Sequence, residues 1–500
     1  MEGRSRKVLY LVTLCLSVAF LAVGACAAWP TPVLLKFKRN ETDVEINDNG
    51  VSWMFAVNPV GFIVGSFVTR YTSDRLGRRA TILASAPLQA VGTIIALCAL
   101  KGWLLCVTLF LWSCSTGMMS TVVGIYLAEI ADKDIRATLS LFTRFATNLG
   151  VLLVMAIGSS LTYKTLNYLL LPIPFVYFVA CLWIPETPYY LLKEGKVDRA
   201  KKSLMMLRGY KDEKSIEEEL TMMQAGVKSE MSHSTTVYEL FSGQQYRRAI
   251  IVAAGIKFTQ IMTGGTCIRQ YLGDIMIESG LEKKHEPTVF IIVGVITAVI
   301  SMLSSVLVDR VGRRPLLICS YIGTGVSLII VGTYFFLINV IEIEHGSLTN
   351  YGIIPFAGII IYNVISTFGF VALSTVIPAE IFPLNVKTVA MTSLAIFGGI
   401  LGVIVGKGYQ DAKDLLGGLH GVFWIFATVA LFGAVFTYFI VPETGGKSLN
   451  DIQKELQGDA YDDGNGKLNV VVSNNRIVGN NDSDNVEGTE LEELKTKESQ

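Results

Sequence analysis

Two stretches of the chain carry the same arrangement of charge, Asp74-Arg75-Leu76-Gly77-Arg78-Arg79 and Asp309-Arg310-Val311-Gly312-Arg313-Arg314. Guanidinium groups beside a glycine-bearing turn suit two tasks: forked hydrogen bonding to carboxylates, and contact with the negative C-terminal ends of helices. Carboxylates stand in step with both copies. Glu129 precedes Arg136 by seven residues and Glu380 precedes Lys387 by seven, while Pro185-Glu186-Thr187 returns as Pro442-Glu443-Thr444. Three ordered echoes make the chain two homologous halves. The expected chemistry is a pair of ionic gates. Glu129, Arg136 and Glu186 pair with Arg75, Arg78 and Arg79; Glu380, Lys387 and Glu443 pair with Arg310, Arg313 and Arg314. Such pairs are expected to clamp their face when the protein opens on the other side, and to part when it opens toward them. The bland alternative is that these arginines only set topology.

Bond-making chemistry finds no support. The chain holds no HExxH, no GxSxG and no Cys/His cluster, the spacings that build metal or nucleophile sites. The run GGKS at 445–448 resembles the end of a phosphate-binding loop, but Val441 stands where its first glycine belongs. Eight cysteines lie in apolar runs without metal-type spacing and read as small buried hydrophobes. The chain is expected to be no enzyme, with no cofactor and no metal.

The elements that position these charges follow from composition. Of 500 residues, 51% are hydrophobic and 17% charged, and mean hydropathy is +0.49. Apolar residues fall in runs of about twenty, the length that crosses ~30 Å of hydrocarbon as helix. Twelve spans are predicted, starting near residues 8, 51, 80, 103, 137, 166, 249, 287, 315, 352, 387 and 418. The fold class is therefore an all-α membrane protein of two homologous six-helix halves. Residues 1–184 form the first half, 185–248 a cytoplasmic linker with short amphipathic helices, 249–441 the second half, and 442–500 a largely disordered tail. Spans seven and ten are long and interrupted by Gly, Pro or charge. Repeated halves of this kind suit a carrier that binds near mid-membrane and rocks one half against the other.

Positive charge places Arg4, Arg6, Lys7, both arginine turns, Lys133 and Lys387 on the cytoplasmic side. Both termini are then cytoplasmic in a multi-pass protein of the plasma membrane, and Asn40-Glu41-Thr42 faces outward as an N-glycosylation acceptor. The sequon at Asn481 falls in the tail and is expected to stay bare. The first span imitates a secretory signal ending at Ala25-Cys26-Ala27, yet its apolar length favours a retained helix. Net charge is zero, so nothing points to nucleic acid. The expected partners are a small solute and the lipid bilayer, with the chain acting as a monomer.

The two turns, the two Pro-Glu-Thr motifs and the stretch Tyr126–Ser140 resemble the sugar porter branch of the major facilitator superfamily, over about residues 8–455. Within it, EIADKDIRATLS, FTQIMTGG and PAEIFPLNVK are similar to insect facilitated trehalose and sugar transporters. The resemblance implies facilitative transport of a small sugar or polyol by alternating access. It implies a site formed by Gln260 and Thr266 of span seven, Arg144 and Asn148 of span five, Thr297 of span eight and Thr375 of span ten. Departures are many. One of two family glutamines in span seven is missing, Thr266 stands at an asparagine place, Val371–Thr375 replaces Gly-Pro-x-Pro-Trp, and Gly398-Gly399 replaces Asn-Trp. Arg144 stands where many members carry a hydroxyl-binding glutamine. Proton-coupled members carry an Asp near the place of Cys26; span one has no acid, which favours uniport.

Charges inside spans face a cavity or a partner. One reading has Lys257 snorkelling to the cytoplasmic interface and Arg269 paired with Asp274. The other has Arg144 and Arg269 lining a cavity for an anionic or highly hydroxylated solute. Gly61, Gly65, Gly398, Gly402 and Gly406 are read as helix-packing positions. Two alternatives to a sugar uniporter stay open: a transporter-like receptor without turnover, and a carrier of organic anions.

Overall fold

Among the described residues, twelve helices are long and apolar enough to cross a membrane: α1 Lys7–Lys38, α2 Asp48–Arg75, α3 Arg78–Cys98, α4 Gly102–Ile130, α5 Thr138–Gly158, α6 Tyr163–Cys181, α7 Arg247–Gln270, α8 Pro287–Ser304, α9 Arg313–Ile338, α10 Ile354–Ile381, α11 Val389–Leu415 and α12 Leu419–Ile440. A bilayer offers no water to backbone groups, so each run closes its own hydrogen bonds as helix. The computed structural model describes residues 7–131, 133–208, 216–217, 219–224, 237–243, 246–279, 285–341, 354–382, 384–445, 447 and 452. The side chains of Arg136 and Arg310, the second sequon and the tail expected to be disordered lie outside the described residues. We call the face bearing Asp74–Arg79 and Asp309–Arg314 the arginine face, and its opposite the Asn40 face.

Local rules explain the ends and breaks. Asn47 opens α2 by accepting the Gly50 amide at 2.8 Å, and Thr162 opens α6 by accepting the Thr165 amide at 3.3 Å. The long seventh segment breaks at Gly264, whose φ of 77° few side chains tolerate, and continues as a short helix Leu272–Glu278. The tenth carries a π turn over Thr367–Val371, non-helical at Gly369. There the Phe370 amide donates to the Ser320 hydroxyl at 3.1 Å, so a side chain on α9 satisfies a group that the kink frees. In the linker, helices Pro188–Lys193 and Val197–Arg208 bury Leu191, Leu192, Ala200 and Leu204 with Ile216 and Leu220.

Helix approach within the first half is set by missing side chains. A Cβ at Gly24 of α1 would lie 2.0 Å from the Thr147 carbonyl of α5, and one at Gly150 of α5 would lie 2.1 Å from the Leu21 carbonyl. Gly61 and Gly65 do the same between α2 and α4. Gly402 and Gly406 of α11 face Pro59 and Ala56 of α2, so that glycine series forms a seam between halves. The cysteine expectation needs correction: all eight are free, but Cys98 and Cys319 are exposed on α3 and α9, where two apolar helix faces turn away from the core.

One hydrophobic core runs through both halves on the Asn40 face. Trp29, Leu35 and Phe55 of the first half share it with Tyr271, Met276 and Tyr409 of the second. Toward the arginine face the core divides. One cluster, with Leu16, Ile82, Tyr126 and Leu139, draws only on the first half and its linker; the other, with Val252, Leu317, Phe370 and Leu394, only on the second half and its flanks. Among the described residues, the halves are closed on the Asn40 face and parted on the arginine face.

The Asn40 loop is held rigidly. Glu45 pairs with the start of α4 through its amide to the Leu100 carbonyl and its carbonyl from the Gly102 amide, both 2.9 Å. Asn40 is exposed and, at φ 53°, is the non-glycine residue with positive φ among those described, a conformation asparagine accepts most readily. Asn40→Gln is expected to remove a glycan and sharpen the gel band, whereas Asn481→Gln leaves it unchanged. A glycan on Asn481 would invert the topology.

Candidate functional site

The two arginine turns are built alike. Gly77 at φ 97° and Gly312 at φ 92° let the chain reverse into α3 and α9. Each following helix starts with amides that lack an intrahelical partner, and a carboxylate from the far end of the same half takes them. Glu186 accepts the Arg78 amide at 3.0 Å and the Arg79 amide at 3.1 Å. Glu443 accepts the Arg313 amide at 2.9 Å and the Arg314 amide at 3.1 Å. The arginine side chains then reach inward. Arg78 donates to Glu129 of α4 at 2.8 Å and to the Ser73 carbonyl at 3.0 Å; Arg313 donates to Glu380 of α10 at 3.2 Å. Arg79 and Arg314 donate to the Leu182 and Tyr438 carbonyls. Arg75 lies 4.4 Å over the Tyr71 ring, and Lys387 is half-buried on the helix leading into α11.

Two expectations change here. Glu186 and Glu443 take backbone amides at helix starts as well as the charges of Arg78 and Arg313, because a helix N-terminus with paired free amides is itself an anion site. And the described pairs, Arg78 with Glu129 and Arg313 with Glu380, stay closed although the halves have parted on this face, since both partners of each lie on the same side of the division. They brace α3, α4 and the end of α6, and likewise α9, α10 and the end of α12. The carboxyl groups differ between halves. Burial pushes Glu186 above the usual carboxylate range against its amide bonds. Burial acts upward on Glu443 too, but the amides of Gly445, Arg313 and Arg314 and the Arg313 charge outweigh it and hold it low.

What closes the opposite face escaped sequence reasoning. Tyr271 stacks on Tyr409 at 4.1 Å and meets Phe55 of α2 edge-on at 4.8 Å. The Thr31 hydroxyl donates to the Arg269 carbonyl at 3.0 Å across the halves. Lys413 of α11 bridges Asp274 at 3.2 Å and Glu278, and Lys38 of α1 sits 3.9 Å from Asp274 and 2.6 Å from Asp48. Asp274 thus takes Lys413 and Lys38 rather than the expected Arg269, which is exposed. Burial raises the Glu278 carboxyl against the pull of Lys413. No spacing rule links residues 38, 274 and 413; only the fold does.

Between these ends lies a central polar level. Asn148 of α5 donates to Ser301 of α8, joining the halves. Asn363 of α10 donates to Thr297 at 2.7 Å, and its buried Oδ1 has no hydrogen-bond partner among the described residues. Lys257 donates to Gln260 at 3.1 Å. Lys257 is half-buried on α7, and Gln260, one turn on, takes its ammonium. Arg144 is exposed on α5, one turn before Asn148, and Thr266 is exposed at the bend of α7. Thr375 is exposed and bonds back to the Ala372 carbonyl at 2.9 Å. Ser301 and Asn363 were missed, being ordinary polar residues in apolar runs. A separate groove of about 990 Å³ near Phe37, Trp53 and Trp103 lies on the Asn40 surface, away from these groups.

Twelve helices in two braced six-helix halves around a shared polar level define the major facilitator fold. The described fold is similar to the xylose transporter XylE of E. coli in its inward open conformation, with a TM-score of 0.71, 19% identity, and coverage of 89% of this chain and 99% of that one. It is similar to the proton:xylose symporter XylE bound to 6-bromo-6-deoxy-D-glucose at a TM-score of 0.68 and 19% identity, over 90% and 99%. The sugar (and other) transporter profile matches residues 11–456, and the chain belongs to that family, whose members are carriers rather than enzymes. Facilitated trehalose transporter Tret1 of Culex quinquefasciatus is 29% identical over 90% of this chain and 86% of its own length. The Tret1-2 homolog of Drosophila simulans is 29% identical over 90% and 91%. Against Tret1 of Aedes aegypti, 28% identical, the chain spans 55% of the relative's length.

Proposed function

We propose that this chain is a facilitative uniporter of a small sugar or polyol working by alternating access, in the plasma membrane with both termini and the arginine face cytoplasmic. The observation that carries it is the core that is single on the Asn40 face and double on the arginine face. That division exposes the central polar level to one side only, as one of two alternating states requires. With the arginine face inside, the described state is open inward. Gln260, Thr266, Arg144, Asn148, Thr297 and Thr375, joined by Ser301 and Asn363, would meet the solute. The relatives named for facilitated trehalose transport support the solute class. Uniport rests on α1. Its segment Lys7–Ala28 holds no acid, and the sulfur of Cys26, where proton-coupled relatives have a carboxylate, accepts from Gln89 at 3.0 Å.

Counterflow into vesicles holding the purified protein, with labelled glucose, trehalose and polyols, tests this reading. Uptake is expected to follow the solute gradient and to ignore an imposed pH gradient. Binding without counterflow would favour a receptor, and dependence on the proton gradient would refute uniport.

Arg144 offers a sharper test. Arg144 precedes Asn148, which makes the inter-half bond to Ser301, by one turn of α5, and a charge inside a span faces a cavity or a partner. Arg144→Gln is expected to change the order of solutes in the panel by about tenfold at unchanged thermal stability. An unaltered order with a less stable protein would make Arg144 a structural partner only.

A further inference from the structure

Lys257 holds a place that the carrier mechanism has not used. Its ammonium donates to the Gln260 side-chain oxygen, and this is its polar contact among the described residues. The lysine is half-buried on the face of α7 that meets α11. There Gly398 makes room for it: a Cβ at 398 would lie 2.6 Å from Lys257 Cε. Neither element offers a counter-charge, since α7 from 247 to 270 and its neighbour from 384 to 410 contain no Asp or Glu. The other polar side chains of this stretch of α7 are engaged elsewhere, Thr259 with Tyr321 at 2.6 Å and Thr263 with the Thr259 carbonyl at 2.5 Å.

The donor balance decides what fits. Lysine only donates, whereas glutamine both donates and accepts. With Lys257 on Oε1, the Gln260 acceptor is engaged, and the pair shows a ligand chiefly N–H groups: two free on the ammonium and two on the amide. A sugar hydroxyl, which gives one hydrogen bond as readily as it takes another, uses such a surface poorly. An anion that only accepts uses it fully, and it neutralises a charge whose isolation inside the membrane is costly. One ammonium balances one negative charge, so a carboxylate fits where a phosphate dianion leaves an excess.

We propose that Lys257 and Gln260 form a subsite for a carboxylate, and that the preferred solute is a hydroxylated monocarboxylate of sugar size, such as a sugar acid. This rests on the carrier reading and moves its preferred solute from a neutral sugar or polyol to a sugar acid. The test uses full-length protein in vesicles at zero membrane potential, with labelled glucuronate and labelled glucose, and glucose 6-phosphate as competitor. Glucuronate is expected to enter at least about tenfold faster than glucose at equal concentration. Lys257→Met and Lys257→Gln are both expected to lower glucuronate uptake about ten- to a hundredfold while leaving or raising glucose uptake, and Lys257→Arg to keep the preference. Monodispersity and melting of each purified variant separate a lost subsite from a misfolded protein. A wild type that takes both solutes equally, a ratio unmoved in both neutral variants, or stronger competition by glucose 6-phosphate than by glucuronate would each overturn the carboxylate subsite while leaving the carrier standing. Entry of neither solute into vesicles holding folded protein would remove the carrier reading itself, and the subsite with it.

Discussion

Arg78→Ala is expected to destabilise the protein by about 3–5 kcal/mol, the range for removing one partner of a buried ion pair. The Arg78 side chain is 6% exposed and Glu129 11%, so the carboxylate left behind has neither its partner nor ready access to water. The change also frees the Ser73 carbonyl that Arg78 holds. The equivalent Arg313→Ala in the second half should cost less, about 1 kcal/mol. Its Glu380 partner is 28% exposed, where water screens the loss, and Glu380 keeps the Thr444 hydroxyl at 2.6 Å. Thermal inactivation of the two purified variants in one detergent measures the difference. Equal losses would mean that burial does not set the strength of these braces. Because the described ion pair of each brace does not cross between the halves, both variants should keep the balance between inward- and outward-facing states close to wild type, provided they fold.

Gly273→Phe is expected to move that balance by about ten- to a hundredfold toward the outward-facing state. A Cβ at residue 273 would lie 3.2 Å from Leu35 Cβ and 3.3 Å from the Thr31 carbonyl of α1, so a phenyl ring cannot enter while the Asn40 face is closed. Overpacking of this sort costs about 1–3 kcal/mol, and only the closed state bears that cost, which sets the size of the shift. The wedge acts beside the Lys413–Asp274–Glu278 cluster without removing any of its charges. Labelling of single engineered cysteines at the two ends reads the shift, in a background where Cys98 and Cys319 have been replaced because both are exposed. Labelling should rise on the Asn40 side and fall on the arginine side. No change at either end would show that this contact does not hold the face closed.

Much of the architecture was legible before any coordinates. Twenty-residue apolar runs admit little but membrane helices, and the helix starts read from them agree with those described to within a few residues. The repeat of Gly77 in Gly312 and of Glu129 in Glu380 marked equivalent positions, and the structure gives them equivalent bonds. Roles were harder to read than places. That Glu186 caps a helix depends on amides, which every sequence contains and none displays. That Lys257 fits against α11 depends on Gly398, 141 positions later in the chain, which vacates the space. That Asp274 belongs to Lys413 rather than to Arg269 depends on which helix ends meet after folding.

The sequence by itself determined the number of spans, the doubling of the chain and the charges at each turn, because these follow from hydrocarbon thickness and from local residue order. The tertiary structure alone decided which carboxylate meets which amide, which face is closed, and which polar side chains share the central level. Those are contacts between distant segments. Their energies depend on burial and close approach, and neither quantity exists until twelve helices have packed.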